Sequence, residues 1–397
     1  MPMRADDAVR SGSATGRVSL VLWLRKWWAL PEVRYILAFF MATRVALTVI
    51  GVISRLALRP LLPQPVWEYS THLWLAIWGV WDTGRYLDIA DNGYSATLTG
   101  GLPQPNYAFF PLYPLIIRIA GRFAGDTFVA GLVVSNLSLV VGSVLLYRLA
   151  RLETDEFTAL RSVKYLFLFP SSFVLSGVFA ESVFFALTVA CFYFARRGRW
   201  AVVAGLGFFA AATRQIGVLI LLPLTFEYLR AAGWKARRLR ADILSLSLIP
   251  LAPVAFGLYV YVLTGDPLAF VRVRATWGEQ LSNPFRVLAD AFFAQRVHLT
   301  FTAGFAVSGL LLLSAYAQRI GFAYWLWGTM PIVVSLTTGS GALLGIPRYL
   351  VPVFPLYFIL AAMAQKSQTV DHSLSVALAL LQGFLMAFWT NGALLMI

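Results

Sequence analysis

Apolar runs close to the ~20 residues that cross a lipid bilayer recur along this whole chain, separated by short polar or basic segments. Taken in order, they predict spans at about 35–53, 127–149, 243–263, 298–317, 321–336, 349–364 and 373–388. Two further regions, 163–195 and 200–229, are each roughly 30 residues long, too long for one ordinary helix and short for two. Each carries a polar interruption near its middle, Ser171-Ser172 through Glu181-Ser182 in the first and Thr213-Arg214-Gln215 in the second. Basic clusters bracket them: Arg161 and Lys164 before, Arg196-Arg197-Gly198-Arg199 between, Lys235 and its neighbours after. If those clusters are all cytoplasmic, as the positive-inside rule expects, both regions are helical hairpins whose polar midpoints reach the outer side.

Residues 108–119 are apolar but short, and Pro111 and Pro114 withhold backbone donors, so crossing and re-entry are both compatible with them. The expectation is an all-α polytopic integral membrane protein with about eleven transmembrane helices, forming one domain over 35–397. External loops fall at about 54–107 and 264–296. Trp67, Trp74, Trp78 and Trp81 suggest short interfacial helices in the first of these. Residues 1–34 read as a cytoplasmic basic tail ending in an interfacial segment, Trp23-Leu24-Arg25-Lys26-Trp27-Trp28.

Composition agrees. Hydrophobic residues make up 59% of the 397, charged residues 13%, and mean hydropathy is +0.74. A net charge of +14 would suggest nucleic acid in a soluble protein. Here the basic residues sit in short inter-span segments that the positive-inside rule covers, so no nucleic-acid partner is expected. The lone Cys191 makes no intramolecular disulfide, and no Cys/His spacing resembles a metal site.

Against this background the stretch from Trp81 to Tyr94 stands out, with Asp82, Asp88, Asp91, Arg85 and three aromatics. Asp82, next to an anchoring tryptophan, has the placement of a general base; a solvated loop carboxylate or a helix cap is the plainer alternative. Asp88 and Asp91 share a helix face, and Arg85 can pair with Asp88 at the same spacing. The three aspartates could lend oxygens to a divalent cation, although no recognisable ligand loop is present; the expected metal ligands are none.

Glu181 lies among Phe179, Ala180, Val183 and Phe184, and intramembrane acids face a cavity or a partner. Substrate contact and pairing with Arg214 are both open. A central arginine costs on the order of 3 kcal/mol on insertion scales, so Arg214 calls for a ligand or a distant carboxylate. Arg348 has no acidic neighbour between 298 and the C-terminus except Asp371, which the topology puts on the opposite side; it would suit a phosphate, or snorkel to lipid headgroups. Arg272 and Arg274 could hold a phosphate too, or meet lipid. Residues 107–114, Tyr-Ala-Phe-Phe-Pro-Leu-Tyr-Pro, read as an aromatic interfacial turn.

With these residues in view, the chain resembles the PIG-V-like mannosyltransferases, members of the GT-C class of polytopic glycosyltransferases and the family of the GPI mannosyltransferase II enzyme. The likeness rests on Trp81-Asp82 with Ile89-Ala90 and Gly93-Tyr94, on Phe109-Phe110-Pro111-Leu112-Tyr113-Pro114, on Phe169-Pro170-Ser171-Ser172 with Glu181-Ser182, and on Pro347-Arg348-Tyr349 with Pro352. It covers about 35–365. The resemblance implies a polyprenyl-phosphate sugar donor, an acidic catalytic residue in the first external loop and a membrane-embedded site. Arg214-Gln215 stands where Arg-Ser or Arg-Pro is expected. The basic tail and the lack of an organelle-retention signal look bacterial, which argues against a GPI acceptor and for a plasma-membrane protein with its site on the extracytoplasmic face.

The resulting expectation is inverting transfer of mannose from a polyprenyl-phosphate donor to a hydroxyl of a lipid-linked or extracytoplasmic glycan. Asp82 is the expected base, and Arg348 with Arg214 the holders of the donor phosphate. Trp81, Arg85, Tyr113, Glu181, Gln215 and Tyr349 are the expected substrate contacts. A transporter or flippase of lipid-linked sugars is the alternative; it calls for access from both sides and often repeated halves, and no repeat is visible. A catalytically dead scaffold leaves Asp82 and both arginines without a purpose.

Overall fold

The computed structural model describes residues 30–58, 67–96 and 105–393. Most of the expected basic tail and parts of the first external loop lie outside the described residues. Within them the fold is all-α: α1 Pro31–Leu58, α2 Thr83–Asn92, α3 Leu112–Ala124, α4 Thr127–Glu153, α5 Glu156–Leu168, α6 Glu181–Arg196, α7 Trp200–Thr213, α8 Leu221–Ala231, α9 Leu248–Thr264, α10 Pro284–Phe293, α11 Val297–Ala315, α12 Phe322–Thr337, α13 Pro355–Ala364 and α14 Gln368–Trp389. Short 3₁₀ turns join several of them.

Among the described residues five helical stretches are long and apolar enough to cross a membrane: α1, α4, the 24-residue Ala241–Thr264 that includes α9, α11 and α14. Shorter apolar helices, α7, α12 and α13, pack among them. Length and apolarity thus mark fewer spans than the eleven or so read from the sequence, because much of the interior is built from interrupted helices. Residues 108–119 fall mostly in α3, which packs on α4.

Both crowded regions are broken where the polar interruptions lie. In the first, α5 stops before Phe169, whose extended backbone (φ −58°, ψ 136°) suits a residue preceding proline. A 3₁₀ turn, Ser172–Ser176, follows, and α6 begins at Glu181. In the second, α7 ends at Thr213, Arg214 is extended (φ −149°, ψ 142°), and a 3₁₀ turn over Gln215–Ile220 leads into α8. That turn folds back on α7 so closely that a side chain at Gly217 would collide with the backbone of Ala210.

These breaks put charge at two ends. Glu181 starts α6 and Arg196 ends it, about 22 Å away at 1.5 Å per residue. Near the Arg196 end, this arginine meets Glu153 at the end of α4 and, at 2.6 Å, Glu227 on α8. The Tyr324 hydroxyl donates to Glu153 at 2.9 Å. Asp371 on α14 pairs with Lys164 and Arg161 of α5. The clusters expected on the cytoplasmic side therefore knit helix ends together away from Glu181.

The second loop, 264–296, is tied down on the Glu181 side. Backbone N–H groups of Gln280 and Ser282 donate to Thr338 O and Thr337 O, both at 2.8 Å. Its helix α10 leaves Phe285 and Phe293 exposed, as does Leu281 before it, an apolar surface suited to lipid. Trp277 O lies where a side chain at Gly341 would stand. Gly341→Ala must push the loop and its anchor apart, a strain of about 1–3 kcal/mol by analogy with overpacked cores. We expect a lower thermal midpoint for the purified variant in detergent; an unchanged midpoint would show that the loop is not held there.

Candidate active site

The two breaks and the loop after α1 converge. Arg348, in the short helical turn Ile346–Tyr349, donates from Nη1 to Asp82 Oδ2 at 2.5 Å. Its Nε lies 3.0 Å from Glu181 Oε1, in ion-pair contact without the alignment of a hydrogen bond. Arg214 Nη1 meets the same Glu181 oxygen. Asp82, Arg348, Glu181 and Arg214 thus form one continuous chain of alternating charge. The Tyr349 ring lies 5.2 Å from the Arg214 guanidinium carbon and 5.4 Å from that of Arg348. Phe179 stands 5.6 Å from Arg348, so flat aromatic faces hold the guanidiniums where water does not.

Asp82 precedes α2 directly, and Trp81 before it has φ of +52°, a left-handed value uncommon outside glycine. The Trp81 ring packs on Trp67 at 5.1 Å, and its indole N–H is buried without a partner. Backbone strain of this kind is tolerated only where the surroundings over-determine it. Here the surroundings are the aromatic packing on one side and the Asp82–Arg348 bond on the other.

Two cavities meet at this chain of charges. A small polar chamber of about 180 Å³ is lined by Asp82, Tyr86, Phe109, Gln215, Trp277 and Arg348, among others. A larger, mainly apolar groove of about 490 Å³ is lined by Phe184, Leu219, Trp327, Pro331, Val334 and Pro352, among others. Arg214, Gln215, Arg274, Glu279 and Tyr349 line both and form the wall between them. Arg274 is clamped by Glu279 through two bonds of 2.6 and 2.8 Å.

The residues expected from the sequence fall into three groups. Asp82, Arg348, Arg214, Gln215 and Tyr349 line the chamber. Glu181, fully buried, stands behind the two guanidiniums, and pairing with Arg214 is what the structure displays. Arg85 lies over Trp277, 5.9 Å from its ring, and Trp81 backs Asp82 from outside the lining. Tyr113 is wholly buried behind Tyr86, its hydroxyl bonded to Ser135 and Gly131; Tyr86 presents itself to the chamber instead.

One expectation is corrected. Arg348 does have carboxylate partners, Asp82 and Glu181, which approach from far earlier in the chain. Arg272, by contrast with Arg274, is exposed and pairs with Asp266 at 2.8 Å. Asp88 accepts from Asn92 and Asn106, and Asp91 from Thr127, so both serve local structure. Among the described residues no group of three His, Cys, Asp or Glu side chains could hold a metal ion. The residues described near Asp82 do not fit a divalent cation.

Arg44, Gln382, Glu279 and Trp277 were not foreseen. Arg44 carried a usable signal, an arginine inside an apolar run, of the same kind as Arg214.

Residues 33–262, more than half of the chain, match a family profile described as Mannosyltransferase (PIG-V). The match includes Asp82, Glu181 and Arg214 but not Arg348. Two proteins named GPI mannosyltransferase 2, from two strains of Cryptococcus neoformans var. neoformans serotype D, are each 28% identical over 151 residues. Each match covers 35% of this chain and 34% of the relative, so the chain spans about a third of the length of the curated relatives it matches. They are fungal, which lends the expected bacterial origin no support. In fold the chain is similar to ArnT from Cupriavidus metallidurans, solved bound to undecaprenyl phosphate. The TM-score is 0.51 at 14% identity, over 96% of this chain and 77% of that one.

Removing one member of a buried ion pair strands the other, at a cost of about 3–5 kcal/mol. Glu181→Gln leaves Arg214 without its carboxylate and Arg348 with Asp82 alone, at a position where Glu181 itself is fully buried, whereas the Asp82 side chain is 21% exposed. We expect Glu181→Gln to lower the thermal midpoint more than Asp82→Asn does; equal shifts would contradict the shared-carboxylate arrangement.

Proposed function

Because the chain belongs to the Mannosyltransferase (PIG-V) family, we propose that it transfers mannose from a polyprenyl-phosphate donor to a hydroxyl of a lipid-linked or extracytoplasmic glycan, with inversion at the sugar carbon. The observation that carries this reading is Arg348, which joins Asp82 and Glu181 at a polar chamber bordered by an apolar groove. The donor's phosphate would sit at the wall between the two, on Arg348 and Arg214, with its prenyl chain along the groove and its mannose in the chamber. Undecaprenyl phosphate, the ligand in the ArnT structure, belongs to the same chemical class of lipid.

The chemistry needs little more. The acceptor oxygen attacks the anomeric carbon as Asp82 takes its proton, and the bond from that carbon to the phosphate oxygen breaks. The leaving group is a polyprenyl phosphate, an anion that departs without protonation, unlike the sugar alkoxide that obliges glycoside hydrolases to use two carboxylates. Two guanidiniums hold the growing charge on the phosphate in a preorganised, largely water-free place. A single displacement inverts the carbon. Glu181, behind the guanidiniums, keeps both aimed at one point, and Tyr349 supports them from beneath.

Arg348 donates to an oxygen of Asp82. A donor phosphate competes for the same guanidinium and so frees the base only when there is something to transfer. The chamber would face the extracytoplasmic side, since the Arg196 and Lys164 clusters lie away from it and the positive-inside rule puts such clusters in the cytoplasm.

The test is transfer of labelled mannose from polyprenyl-phosphate mannose by the purified chain in vesicles. Loss of the base in Asp82→Asn should lower the rate about 10² to 10⁴-fold. Arg348→Ala should raise the donor KM and lower kcat. A fully active Asp82→Asn protein would refute the assignment; label that crosses the vesicle without entering an acceptor would favour transport.

A further inference from the structure

Residues 169–180, between α5 and α6, are buried at every position, yet they form no α-helical ladder. Buried carbonyls must find donors elsewhere, and side chains from other helices provide them. Arg44 of α1 donates from Nη1 to Ser172 O at 3.1 Å and Ser176 Oγ at 3.0 Å, and from Nη2 to Ser172 Oγ at 3.1 Å. Gln382 of α14 donates from Nε2 to Phe167 O, Phe169 O and Ser172 Oγ at 2.8, 2.9 and 2.7 Å. Asn136 of α4 reaches Ser176 O at 3.3 Å.

The same segment is tied to the neighbours of three charged site residues. Ser171 Oγ donates to Pro347 O at 2.5 Å, and Pro347 precedes Arg348. The Thr83 hydroxyl, next to Asp82, contacts Val178 O at 3.5 Å. The segment itself runs into Glu181, the first residue of α6. Arg44 differs from Arg214 and Arg348 in kind: its hydrogen-bond partners are hydroxyls and a carbonyl, not a carboxylate. A planar guanidinium with several fixed donors suits that task, where a lysine offers a single point.

We propose that Arg44, together with Gln382, is a positioning residue for the transfer reaction. By gripping the 169–180 break it sets the mutual placement of Asp82, Glu181 and Arg348, none of which it touches. This rests on the reading of those three as the active site. Misplacement of reacting groups by about 1 Å from a remote change can cost about 10²-fold, so the expected signature is kinetic.

The experiment compares Arg44→Met, Arg44→Lys and Gln382→Leu, each as the full chain in vesicles. Rates with polyprenyl-phosphate mannose are normalised to the folded, monodisperse fraction. We expect kcat to fall by about tenfold or more in Arg44→Met and Gln382→Leu with the donor KM changed less than about twofold, the pattern of a loss felt in the transition state. Arg44→Lys should recover part of the loss. In the Asp82→Asn background Gln382→Leu should cost less than it does alone, because the part of its effect that misplaces the base is already lost, while the part felt through Glu181 and Arg348 remains. An unchanged kcat in every variant that folds, or a full multiplicative loss on the Asp82→Asn background, would overturn the proposal. Should Arg44→Met not fold, Gln382→Leu and Arg44→Lys decide it. A fully active Asp82→Asn protein would instead refute the assignment of the base.

Discussion

Everything at the chamber depends on one carboxylate being shared. Glu181, closed off from solvent, faces both Arg214 and Arg348, and Arg348 extends the contact to Asp82. Two acids and two guanidiniums in one chain leave no net charge to desolvate, which is the condition for keeping such groups inside a membrane protein. Pairing also keeps them apart from lipid until another anion competes. An arrangement in which these charges neutralise one another is therefore one that an anionic ligand can enter by exchange.

Such a site cannot be built on uninterrupted helices. Glu181 and Arg214 sit where α6 begins and α7 ends; the 3₁₀ turn Ser172–Ser176 precedes the first, and the second is extended and leads into a 3₁₀ turn. Interrupted helices release carbonyls that the hydrocarbon cannot satisfy, and irregular backbone at membrane depth persists only when protein groups take over. Seryl, threonyl, asparaginyl, glutaminyl and arginyl side chains do so around 169–180. The polar residues of α1, α2, α4 and α14 thus have their reason in a turn that belongs to none of those helices.

Much of this was legible in the sequence. The interruptions at 171–182 and at Arg214 mark real breaks, because charged or proline-bearing tracts inside apolar runs have few other uses. Arg214 stood out for the same reason, Asp82 as an acid beside an anchoring tryptophan, and Arg348 as a cation without an acid close in sequence; that all three line one chamber is a finding of the structure. What was not legible was who meets whom: Arg348 and Asp82 are 266 residues apart, and no local pattern encodes their contact. Tyr113 and Tyr86 illustrate the same limit, since both are aromatic in aromatic surroundings and only packing decides which faces the chamber. Among the described residues, length and apolarity mark fewer helices than the sequence pattern does, because helices such as α12 and α13 are apolar but short and packed among neighbours.

The most direct measurement is a structure of the chain in a lipid nanodisc with a polyprenyl phosphate bound. The account predicts phosphate oxygens within hydrogen-bond reach of Arg348 and Arg214, Asp82 released from Arg348 and turned to the chamber, and the prenyl chain along the groove beside Phe184 and Trp327. A phosphate bound elsewhere, with the Asp82–Arg348 pair intact, would contradict it.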